Sequence, residues 1–154
     1  MSVYINDRYR IKRNAFHESS MKMLIESHIF SSYAHILCLA SVFGYRNKAY
    51  SKIESQASDG VLMQFFSEDE KDLIDMIAYA HSKNQNILKT DQKYEIFESY
   101  ANGGYPILIE KLGINFDQID ITTLMSKQNE YLTQLYVILK TDDVDLDLDT
   151  TIID

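Results

Sequence analysis

The sequence is poor in the residues that punctuate a chain. Its 154 residues include only five glycines and one proline. Sandwiches and barrels need many tight turns, so a mainly α fold is expected. The lone cysteine, Cys38, excludes an intrachain disulfide and the framework of a small secreted domain. No apolar run approaches the roughly 18 residues of a membrane span. No basic region followed by an apolar run opens the chain, so it is expected in the cytoplasm, away from membranes. No histidine pair has the i, i+4 spacing of a zinc protease helix. No Walker-type or dinucleotide loop is present, and Asn102-Gly103-Gly104 lacks the lysine and preceding strand of a phosphate loop. No cofactor and no metal site is therefore expected.

What is present points to one packed domain. Hydrophobic residues make up 45% of the chain, enough for a core at this length. The net charge of −8 speaks against nucleic acid, but it is unevenly spread. Residues 1–52 carry eight basic and three acidic side chains, a net of +5, which leaves −13 for the rest. Six aspartates lie in residues 142–154, with no positive charge among them. The expected organisation is a helical domain over 1–140, with a basic head (1–52) and an acidic body (53–140). A flexible acidic tail would follow over 141–154.

Periodicity and caps predict about five to six helices in a single compact domain, with one or two short extended segments. Arg8 to Arg13 alternates as a strand does, placing Arg8, Arg10 and Lys12 on one face and Tyr9 and Ile11 on the other. A helix from Phe16 to Glu26 would carry Phe16, Met21, Leu24 and Ile25 on its apolar stripe. Ser32 can cap a largely apolar helix over Tyr33 to Phe43, with Gly44 in the C′ position. Val61 to Phe66 reads as extended. Ser67 and Glu70 form a capping box for a helix reaching Ser82. Asp91 can cap a helix from Gln92 to Leu112, ended by Gly113. Within it, Asn102-Gly103-Gly104 and Pro106 suggest two helices meeting at a corner. A last helix is expected from Ile119 to Leu139.

Catalytic patterns are thin. His35 and Cys38 lie one helical turn apart, but on the most apolar helix, where a cysteine is usually a small hydrophobe. Glu95 and Glu98, at i, i+3, are the carboxylates a metal-dependent nuclease would use. A solvated helix face is the simpler reading, and a non-enzymatic protein is expected.

Two blocks carry a resemblance. Phe30 to Lys48 reads Phe-Ser-Ser-Tyr-Ala-His-Ile-Leu-Cys-Leu-Ala-Ser-Val-Phe-Gly-Tyr-Arg-Asn-Lys. Ile96 to Leu108 carries an aromatic, Ala101-Asn102-Gly103-Gly104 and an aliphatic run. In this order they resemble the DNA phosphorothioation (Dnd) system-associated protein 4 family, over roughly residues 8 to 113. The resemblance implies an accessory protein of prokaryotic anti-phage defence, in systems that mark DNA with backbone sulfur and restrict unmarked DNA.

Two mechanisms follow as expectations. In the first, Arg8, Arg10 and Lys12 face double-stranded DNA while Arg13, Arg46 and Lys48 touch phosphates. A strand followed by two helices is also the order of ribbon-helix-helix regulators, which pair strands in a dimer. In the second, the chain is an adaptor or homo-oligomer without DNA contact, docking on a larger ATPase or nuclease. Tyr100, Asn102, Gly103 and Gly104 are then a partner contact or a structural corner.

Overall fold

The computed structural model describes residues 4–153, with side chains through residue 140. Among the described residues it has six α-helices and one two-stranded sheet: β1 (Arg10–Ile11), α1 (Glu18–Glu26), α2 (Tyr33–Arg46), β2 (Val61–Leu62), α3 (Glu68–Ser82), α4 (Gln92–Leu112), α5 (Ile121–Ser126) and α6 (Gln128–Ile153). This is a mainly α domain. β1 and β2 are antiparallel, with Arg10 opposite Leu62 and Ile11 opposite Val61.

The core is the crossing of α2 and α4, the most extensive element pairing among the described residues. α2 buries Ala34, Ile36, Leu37, Ala40 and Phe43, and α4 answers with Tyr94, Phe97, Ala101 and Leu108. α3 packs on α4 through Ile74, Ile77 and Ala78, while α5 and α6 close the far end against α1 and α4. No helix among the described residues is long and apolar enough to cross a membrane.

The local stop and start signals act as their chemistry dictates. Ser32 accepts from the His35 backbone N–H. Ser67 and Glu70 close both bonds of the capping box. Gly113 ends α4 at φ 70, in the left-handed region.

Several expectations about the elements fail, some for tertiary reasons. Gly44 does not end α2: the helix runs on to Arg46. Lys48 takes the left-handed C′ position at φ 55, with Ala49 N donating to Gly44 O and Lys48 N to Tyr45 O. Gly44 is needed inside the helix, because a Cβ there would lie 2.0 Å from Tyr100 O of α4. The glycine pair makes no corner, and α4 is continuous through it and through Pro106. A Cβ on Gly104 would meet Ala40 O at 1.8 Å, and one on Gly103 would meet Ala49 O at 1.9 Å. These glycines let two backbones touch. An interior proline costs a helix about 3 kcal/mol, and burial of Tyr105 and Leu108 on either side of Pro106 offsets it.

Phe16 belongs to a 3-10 turn preceding α1 and is 86% exposed, so it is no part of the stripe. The single last helix is instead two, broken at Lys127, whose N–H returns to Thr123 O and Leu124 O. The backbone of α6 continues to Ile153. The acidic tail expected over 141–154 lies outside the residues whose side chains are described.

Candidate functional site

One stripe of α4 holds the basic N-terminal segment in place. Positions 91, 94, 98 and 102 recur at three- and four-residue steps and so share a face. Asp91 heads α4 but makes no side-chain cap; its carboxylate accepts from Tyr4 Oη at 2.9 Å and Asn6 Nδ2 at 3.1 Å. Tyr94 Oη accepts from Asn6 N at 3.0 Å, and its ring stacks on Tyr9 at 4.5 Å. Glu98 Oε2 accepts from Tyr9 Oη at 3.0 Å and from Lys12 N at 2.8 Å. Asn14 Nδ2 donates to Asn102 Oδ1 at 2.9 Å, and Asn102 Nδ2 donates to Ser51 O at 2.9 Å. Ser51 N donates to Ser99 O at 3.0 Å. Asn102 thus clamps the segment carrying Arg8, Arg10 and Lys12 to the loop after α2 that carries Lys48 and Lys52.

Between these segments lies a cleft of about 230 Å³, lined by Lys12, Tyr50, Lys52, Gln92, Glu95 and Glu98 among others. Its lining combines a lysine from each basic segment with two carboxylates of α4. Glu98 is 5% exposed. Burial pushes its carboxyl up to about 7, against the opposing effect of the bonds from Lys12 N–H and Tyr9 Oη. Burial, and then the charge of Glu98, raise the Tyr9 phenol, which stays a donor. A second buried charge on α4 is Lys93. Its ammonium lies 2.9 Å from Asp75 Oδ1, donates to Tyr4 O, and sits over the Tyr4 and Tyr94 rings. Asp75 has this charge partner but no aligned hydrogen bond among the described residues.

The expected DNA-contact residues separate. Arg8, Arg10 and Lys48 are exposed, and Lys12 stands at the cleft. Arg46 is half-buried. Arg13 is 3% exposed: its guanidinium donates to Asp59 O at 3.0 Å, pairs with Glu18 at 3.2 Å and stacks on the Tyr33 ring at 4.1 Å. It serves the interior and does not face a phosphate. Tyr100 is buried with its Oη 2.8 Å from His81 Nδ1.

Sequence reasoning missed Tyr50, Lys52 and Asn14, and misread Glu98 as solvated. Glu98 is no part of a solvated face; the exposed Glu95 three residues earlier suggested one. Among the described residues no group of three His, Cys, Asp or Glu side chains is placed to hold a metal ion. His35 is turned to Ser31 Oγ (2.5 Å) and Glu70 Oε2 (3.5 Å). Burial, with Glu70 adding to it, raises the Cys38 thiol, which disfavours the thiolate form.

Fold and site together define a small helical protein with a clamped basic segment beside a narrow cleft. The family model for DNA sulphur modification system-associated protein 4 matches residues 10–146, and the chain belongs to that family. Both blocks of the resemblance fall on the α2–α4 crossing, one on each helix. No curated protein and no solved structure matches the chain.

Proposed function

We propose that this chain is a non-enzymatic accessory subunit of a DNA sulphur modification system in prokaryotic defence, and that it contacts the DNA backbone. The observation that carries this reading is the Asn102 clamp. It joins two basic segments about forty residues apart in sequence, so that Lys12 and Lys52 line one cleft, with Arg8, Arg10 and Lys48 exposed on the same two segments. The cleft is smaller than the roughly 300–1,000 Å³ of small-molecule pockets, which favours contact over turnover. A paired-strand regulator is less well supported, because β1 spends its ladder on β2 of its own chain and Lys12 N on Glu98.

Duplex binding measured against salt tests the proposal. Affinity should fall steeply with added salt, and an Arg8/Arg10/Lys12→Ala variant should lower the log–log slope by about three. Absent or salt-insensitive binding, with a larger protein co-purifying, favours a second reading: docking on an ATPase or nuclease. That reading draws on exposed Leu132 and Tyr136, one turn apart on α6.

A further inference from the structure

The end of α2 and the segment after it interleave rings and cations: Tyr45, Arg46, Lys48, Tyr50, Lys52. These rings are not loose. Tyr50 stacks on His81 with centroids 4.8 Å apart and planes 7° from parallel. Tyr100 of α4 stands edge-on to both, at 4.9 Å from Tyr50 and 5.4 Å from His81, and edge-on to Tyr45 at 5.4 Å. Its hydroxyl is bonded to His81 Nδ1. Tyr100 is in turn held where its carbonyl packs on Gly44. One buried tyrosine therefore sets three outer rings. Tyr45 and Tyr50 nonetheless remain 38% and 39% exposed. An exposed ring already fixed in one orientation loses little further freedom when a flat partner stacks on it.

We infer that Tyr45 and Tyr50 form a stacking platform for the unpaired bases of single-stranded DNA, with the Lys12–Lys52 cleft beside them taking the strand. This rests on the proposed DNA contact and specifies which form of DNA is bound. A duplex hides its base faces inside the stack, whereas a single strand offers them to aromatic side chains along a cationic groove. The charge layout agrees. Lys12 and Lys52 line the cleft and supply positive charge for phosphates, while Glu95 and Glu98 in the same lining repel a phosphate but not a base. Tyr50 belongs to both the ring cluster and the cleft wall, so a stacked base and its flanking phosphates are served by adjacent groups.

The test is fluorescence anisotropy with a labelled mixed-sequence oligonucleotide, single-stranded and then annealed to its complement. The single strand should bind at least about tenfold more tightly than the duplex. Tyr50→Ala and Tyr45→Ala should each lower single-strand affinity about tenfold and leave duplex affinity unchanged, while Tyr50→Trp retains it. Because the chain has no tryptophan, quenching of intrinsic tyrosine emission by unlabelled single strand provides a readout on the unaltered protein. Should Tyr50→Ala unfold, that quench and the strand preference decide alone. A duplex bound as tightly as the single strand, a Tyr50→Ala variant with unaltered single-strand affinity, or unquenched emission overturns the platform but leaves backbone contact standing. No binding to either form overturns both.

Discussion

Helix α4 meets its neighbours by shape on one face and by polar chemistry on another. Toward α2 and the loop after it, α4 offers Gly103, Gly104 and the Tyr100 carbonyl, and these return Gly44, Ala40 and Ala49. At these glycines backbone meets backbone, and the contact tolerates no added atom. Toward the N-terminal segment it offers Asp91, Tyr94, Glu98 and Asn102, each satisfied by a donor or acceptor from residues 4–14. The first face makes the core. The second holds the basic head in one place and leaves a cleft beside it. A packed crossing is sensitive to volume, and a polar clamp is sensitive to protonation and partner loss.

The steepest test of this contrast is Gly104→Ala. One methyl group would strike Ala40 O, a backbone atom that cannot swing aside. The expected loss is about 5 kcal/mol in urea unfolding, or no cooperative transition. Gly113→Ala, where a Cβ meets nothing but φ is 70, should cost only about 1 kcal/mol. Equal costs at the two sites would show that the crossing is looser than its geometry.

Next comes charge at the head of α4. Lys93→Met leaves Asp75 buried without its cation and should cost about 3 to 4 kcal/mol by the same measurement. Lys93→Met with Asp75→Leu should recover most of that loss, since neither charge then remains. A double variant no better than the single would mean that the Tyr4 carbonyl, left unbonded, dominates.

The last test is a slope with pH. Glu98 has its carboxyl raised from 4.5 to about 7, so the folded state holds the proton more tightly than the unfolded state. Below pH 4.5 both states are protonated and nothing is lost. As pH rises through 7 the folded protein must ionise a buried group, and stability falls by about 3 kcal/mol at most across that window. Glu98→Gln should flatten this part of the curve. A wild-type profile already flat between pH 4.5 and 7 would place Glu98 in a wetter site than its burial indicates.

Much of the architecture was legible because its signals are local. Ser32, the Ser67–Glu70 box and Gly113 act within one helical turn, so reading them needs no neighbour from elsewhere in the chain. The scarcity of glycine and proline announced the helices for the same reason. The most telling errors involve distant partners. Gly44 was read as a helix end and Gly103-Gly104 as a corner, since both are local habits of glycine. What they accommodate is a backbone some sixty residues away in sequence. Arg13 looked like its exposed neighbours until Asp59 and Tyr33 enclosed it.

The sequence alone determined the helical class, most helix boundaries, the asymmetry of charge and the family likeness, because composition, caps and motifs are carried by adjacent residues. Only the tertiary structure decided that both motif blocks are halves of one crossing, that Glu98 is buried while Glu95 is not, and that Lys12 and Lys52 share a cleft. Burial depends on which distant segments close over a side chain. Asn14 and Asn102 meet only after α2 and α4 have packed, and that meeting sets the two basic segments side by side.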